Sequence, residues 1–321
     1  MRVSASEKPG VLGAVKRFWQ RSYAADYVGF TLLVTGYVLV QFLEPFHRMF
    51  SLDDHAKQYP HALVQRVSAG QNILYAGVGP LSILLLWAVI IRPGFHKAHV
   101  TIFGLFISLF LTSLLTDIIK NAVGRPRPDL IARCKPKPGT PEHELVTILA
   151  CTETDHHILH DGWRSFPSGN SSWAFAGLGY FALFLAGQFH IFRPRTDLAR
   201  VLITLTPLVG AGLIAMSRLA DYRHDVFDVT VGSILGMLVA WFSYRRYYRP
   251  LKHPQCHEPY PSPWEYANGG GTKRSKDIET QAEDHFSLDD LSEDEAQSYP
   301  LTQQTTERVG TNSNTRQSHP P

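Results

Sequence analysis

The chain has 321 residues, 44% of them hydrophobic and 18% charged, with a formal net charge of +3. Collagen-like, coiled-coil and wholly disordered classes are excluded, and three cysteines are too few for a small disulfide-rich scaffold. The mean hydropathy of -0.10 averages two unlike parts: residues 251–321 are about 21% hydrophobic and carry roughly -6, while the body is about half hydrophobic and carries roughly +9.

Residues 1–26 carry Arg2, Lys8, Lys16, Arg17 and Arg21 without a long apolar core. They read as a basic juxtamembrane segment and not as a secretory signal. Residues 17–27, with Phe18, Trp19 and Tyr23, suit either an interfacial amphipathic helix or a flanking loop. Six apolar runs follow, over residues 27–43, 72–91, 100–119, 171–189, 201–216 and 226–244. A helix needs about 20 apolar residues to cross a bilayer, and backbone groups in lipid must be satisfied within the segment. The first and fifth runs are the shortest, and Pro207 interrupts the fifth. The expected fold is therefore all-α: an integral membrane bundle of about six helices over residues 27–250. Residues 251–321, rich in Ser, Thr, Gln, Gly and acidic residues, are expected to form a disordered acidic tail.

Three polar clusters stand at the ends of apolar runs. Lys120, Arg125, Arg127, Pro128 and Asp129 follow the third run. Ser165, Pro167, Ser168, Gly169 and Asn170 precede the fourth, and Ser217, Arg218, His224 and Asp228 join the fifth to the sixth. With six spans, all three clusters fall on one membrane face. Their residue types suit a phosphate. Lys120, Arg127 and Arg218 offer charge and forked donors. Ser168 and Gly169 sit where a helix begins, so backbone N–H groups can face an anion. His224 and Asp228, four apart, share a helix face, so a carboxylate can orient an imidazole whose other nitrogen attacks phosphorus. No zinc or calcium ligand spacing is present, so neither metal nor cofactor is expected.

The pattern K-x6-R-P (Lys120, Arg127, Pro128), P-S-G (Pro167, Ser168, Gly169) and S-R-x5-H-x3-D (Ser217, Arg218, His224, Asp228) resembles the type 2 phosphatidic acid phosphatase family, whose superfamily includes the vanadium haloperoxidases. The segments Glu44-Pro45-Phe46-His47-Arg48, Asp53-Asp54 and Asp161-Gly162-Trp163-Arg164-Ser165-Phe166 resemble its fungal diacylglycerol pyrophosphate phosphatase branch. The resemblance implies a metal-independent lipid phosphatase with a luminal or extracellular site. Lys120, Arg127 and Arg218 would bind phosphate, His224 would be the nucleophile, and Asp228 would orient it. The family's second motif ends in histidine, the general acid, where this chain has Asn170. Asparagine has no transferable proton at neutral pH, and a lost general acid costs about 10²–10⁴ in rate. Three explanations stay open here. The chain is a lipid-phosphate-binding pseudo-enzyme; or His156, His157 or His160 supplies the proton; or the substrate is a pyrophosphate-type lipid whose leaving phosphate, with a pKa of roughly 6, needs little help.

Several flanking features carry weaker expectations. Cys134 and Cys151 suit a disulfide if their loop is luminal. Cys256 is read as an inert thiol, with palmitoylation as the functional alternative. Asp117, one turn before Lys120, is read as neutralising Lys120 or Arg125. Gln41 and Asn72 are placed at headgroup level without function, and the Gly232/Gly236 spacing is read as helix packing. Lys and Arg number about 14 on the site-free face against roughly 9 on the site face once the three phosphate ligands are set aside, a mild bias towards cytoplasmic termini.

Overall fold

The structure, a computed structural model, describes residues 14–267 other than 16, 17, 20 and 63. Its described residues contain six long helices and no strand beyond isolated bridges. They are α1 (Ala24–Val40), α2 (Ala69–Ile91), α3 (Phe95–Val123), α4 (Gly169–Phe189), α5 (Leu198–Ala220) and α6 (Val226–Tyr247). The helices α2 to α6 are long and apolar enough to cross a membrane. With 17 residues, α1 spans about 26 Å, a little short of a hydrocarbon core of about 30 Å.

Most helices extend past the apolar runs into polar flanks, because hydropathy marks the hydrocarbon whereas a helix runs until its backbone is capped. At 29 residues α3 is about 44 Å long, more than a hydrocarbon core of about 30 Å, and Lys120 lies in its last turn. Gly124 stops it with φ 55°, and a Cβ there would fall 1.7 Å from the Phe46 carbonyl oxygen. In α2 a Ser68–Gln71 capping box starts the helix. Pro80 supplies no N–H, and the turn just before it, Leu74–Val78, has π geometry. Pro207 does not interrupt α5, contrary to the sequence reading: it lies buried within one continuous helix.

The centre of the bundle is α4, packed against α3, α5 and α6. Close approach is set by glycine. A Cβ on Gly232 would lie 2.6 Å from the Ser168 oxygen, and one on Gly236 would lie 2.2 Å from the Ser172 oxygen. This glycine pair therefore seats α6 on α4, as the spacing suggested. Leu105, Leu109, Tyr180, Phe184 and Tyr244 fill the core between these helices.

On the site side, the loop between α3 and α4 folds over the helix ends. Phe50, Leu130, Cys134 and Trp163 form a second small core there, closed by the Cys134–Cys151 disulfide. On the opposite side, the chain beyond α6 stays folded. Cys256 is buried with its thiol on the Gly187 carbonyl, and Lys97 pairs with Glu258. Burial excludes palmitoylation of Cys256 in this fold. The expected disordered tail is thus folded from residue 251 to 267. Its remainder, residues 268–321, lies outside the described residues, as does most of the basic N-terminal segment.

Candidate active site

The three clusters meet at one end of the bundle. The N-terminus of α4 forms its floor. Ser168 is buried at the N-cap, its N–H donating to the Asp228 carbonyl at 2.9 Å. It makes no side-chain cap. The N–H groups of Gly169, Asn170 and Ser171 have no acceptor among the described residues. Beside them stands Lys120. A Cβ on Gly169 would lie 2.9 Å from Nζ of Lys120, and that ammonium makes no hydrogen bond or ion pair among the described residues. A cation facing the positive end of a helix is unfavourable unless an anion sits between them.

His224 is buried in the turn between α5 and α6. Its Nδ1 donates to the Ser165 carbonyl at 2.8 Å. Its Nε2 has no hydrogen-bond partner among the described residues, and the ring lines an open pocket of about 480 Å³. Burial, reinforced by the Arg127 charge, lowers its pKa from 6.5 to about 4. The imidazole is therefore neutral, with a free lone pair on Nε2.

Asp228 stands beside His224 at ion-pair distance but makes its hydrogen bonds to other groups. Its Oδ2 lies 3.8 Å from Nδ1. The carboxylate is instead taken by Arg125 at 2.8 Å, the Ser165 hydroxyl at 2.5 Å and the Asp225 N–H at 3.0 Å. Asp228 thus fixes Ser165 and the start of α6, and Ser165 in turn fixes the imidazole.

The two arginines of the cradle are present but engaged. Arg127 donates Nη2 to Asp161 at 2.8 Å and Nε to the Asp161 carbonyl at 2.8 Å. Burial by itself would raise the pKa of Asp161, but Arg127 and Arg133 together hold it well below the usual carboxylate range. Arg218 is 1% exposed and donates to Asp221 at 2.8 Å and to Gln65 at 2.9 Å. Sequence reasoning assigned no role in this network to Asp161, Asp221 or Gln65, and offered Arg125 only as a cluster member and an alternative partner of Asp117. The Arg218–Asp221 spacing of three on a helix was the one local signal available. The other pairings cross between distant segments.

Other expectations resolve differently. Asp117 pairs with Arg164 at 3.2 Å and accepts from Gln41 at 2.7 Å, not from Lys120 or Arg125. Asn72 is buried, and its Nδ2 donates to the Asn170 carbonyl at 2.9 Å. It positions the motif, a role the sequence reading did not give it. His160 bonds His47 at 3.0 Å and stacks on His156. Among the described residues, none of His156, His157 and His160 is hydrogen-bonded to His224 or Asn170, and none lines the pocket. No group of three or more His, Cys, Asp or Glu among the described residues is arranged to hold a metal ion.

Residues 101–252, which include all three clusters, match the model of the PAP2 superfamily. A Schizosaccharomyces pombe protein named probable diacylglycerol pyrophosphate phosphatase 1 is 38% identical over 74% of this chain and 85% of its own. The Saccharomyces cerevisiae diacylglycerol pyrophosphate phosphatase 1 is 40% identical over 68% of this chain and 78% of its own. Lipid phosphate phosphatase 2 of Arabidopsis thaliana is 35% identical over 75% of this chain and 82% of its own. The solved structure of Aquifex aeolicus LpxE overlaps 54% of this chain and 81% of its own at 17% identity and a TM-score of 0.30, too slight a likeness to bear on the fold. With such relatives covered over most of their length, and with the matched region holding the site, the chain belongs to the PAP2 superfamily.

Proposed function

We propose that this chain is a metal-independent lipid phosphate phosphatase acting on phosphatidate, diacylglycerol pyrophosphate or related lipids. The observation that carries the reading is Lys120, unpartnered and set against the free N–H groups of α4, within a site that also holds a neutral imidazole with a free Nε2. In the proposed reaction, Nε2 of His224 attacks phosphorus and the bond to the leaving oxygen breaks, giving a phosphohistidine. Water then cleaves the P–N bond, releasing phosphate and restoring the imidazole. Lys120, Arg127, Arg218 and the N–H groups at Ser168–Asn170 stabilise the charge on the transferred group. Phosphate would enter by displacing carboxylate partners from the arginines or by joining them. Asn170 orients the leaving oxygen by hydrogen bonding but gives it no proton.

The disulfide between Cys134 and Cys151 supports a luminal or extracellular site, as does the Lys/Arg bias, with the termini in the cytoplasm. A glycosylation tag placed in the 135–160 loop tests this orientation and is expected to be modified. Asn170 favours one second reading, a lipid-phosphate-binding pseudo-enzyme. Phosphate release by purified wild type, His224→Ala and Asn170→His separates the two. Release abolished by His224→Ala supports the enzyme. A silent wild type with an active Asn170→His supports the pseudo-enzyme.

A further inference from the structure

The pocket beside His224 is lined by a set of charges that the catalytic cradle does not use: Arg48, Lys57 and Arg125, with Asp54 and Asp225. Two of the three cations are already neutralised. Arg125 pairs with Asp225 at 2.9 Å and with Asp228 at 2.8 Å, and Lys57 pairs with Asp54. The Arg48 guanidinium has no hydrogen bond or ion pair among the described residues. The backbone that carries it is nonetheless fixed. The Phe46 N–H bonds the Asn121 carbonyl at 2.9 Å, and Phe50 exchanges backbone bonds with Val146 at 3.1 and 2.8 Å. Between these pins, the buried Trp163 donates Nε1 to the Arg48 carbonyl at 2.8 Å. The backbone is held at three points while the guanidinium alone is left free, facing a pocket whose wall includes the nucleophile. Arg48 and His224 line the same pocket.

Resting on the phosphatase reading above, we propose that Arg48 binds the non-transferred phosphate of a diphosphate lipid and so sets a preference for diphosphate over monophosphate substrates. A forked guanidinium suits two oxygens of one phosphate, and a monophosphate lipid leaves it without a partner. The pairing also fits Asn170. A site without a general acid works best on a leaving group that departs as a phosphate anion, and Arg48 is the charge that would receive it.

The test uses Arg48→Ala and Arg48→Lys in neutral detergent micelles, free of other anionic lipids. The expected result is a fall in kcat/KM for diacylglycerol pyrophosphate of about tenfold in Arg48→Ala, the effect of one charge-assisted hydrogen bond. Phosphatidate hydrolysis should change little, and Arg48→Lys should recover part of the loss. Equal losses on both lipids would mean general anion attraction and would overturn the proposal, as would no loss on either. An unchanged thermal midpoint shows that the variant folds. Should wild type release no phosphate in a His224-dependent way, the phosphatase reading fails separately. Binding of inorganic pyrophosphate and inorganic phosphate to His224→Ala, with and without Arg48→Ala, then decides the subsite. Weaker pyrophosphate binding alone supports it, and unchanged pyrophosphate binding overturns it.

Discussion

Arg125 donates to Asp228 at 2.8 Å across 103 residues of sequence. Asp228 is fully buried, and Arg125 is about one-third exposed. Replacing Arg125 with Ala leaves a buried carboxylate with its Ser165 and Asp225 donors but no cation. The expected cost is about 2 kcal/mol, the buried-pair range discounted for the exposure of Arg125. Melting in detergent measures it. Because Asp228 fixes Ser165, and Ser165 holds the imidazole, kcat should fall as well, more than KM rises.

The depressed pKa of His224 fixes the direction of a pH effect. The neutral imidazole persists as pH falls from 6.5 to about 4. The acid limb of kcat/KM should therefore lie near 4 once the ionisation of the substrate phosphate, near 6, is taken into account. An enzyme limb at the ordinary 6.5 would contradict a buried nucleophile. The same shift acts on stability. The unfolded chain binds this proton at the higher pH, so stability contributed by the neutral histidine is lost progressively as pH drops through that window.

Asn170→His should restore a general acid. Phosphatidate must expel an alkoxide, whereas diacylglycerol pyrophosphate expels a phosphate. The substitution is expected to raise the monophosphate rate by up to about 10²–10⁴ and the diphosphate rate by much less. Side-by-side turnover on the two lipids checks this, and equal gains would sink the leaving-group argument.

The Cys134–Cys151 bridge closes a segment with a sequence separation of 17. Cys134→Ser with Cys151→Ser should lower stability by roughly 3 kcal/mol on the loop-entropy model. The loss should appear as a lower thermal midpoint in non-reducing detergent solution.

Much of the site was legible because its residues are local to helix ends. Ser168 and Gly169 announce a helix start, Lys120 marks the last turns of a long helix, and Arg218 and His224 flank one short turn. What could not be read was who holds whom. A spacing of four puts Asp228 beside His224, 3.8 Å from its Nδ1, but does not show that the carboxylate is hydrogen-bonded by Arg125 and Ser165. Asp117 was given to Lys120 or Arg125 on the same local logic and pairs with Arg164.

The sequence by itself determined an all-helical membrane body, the face on which the polar clusters gather and the phosphate chemistry they suit. Apolar run length and residue type are local quantities, and the bilayer and the phosphate respond to them directly. Only the tertiary structure decided which carboxylate pairs with which arginine, that Lys120 is left facing a helix N-terminus, and that Arg48 stands free beside His224. Those outcomes depend on the packing of α6 against α4 and on a loop pinned between Asn121, Trp163 and Val146, contacts between segments that no local pattern encodes.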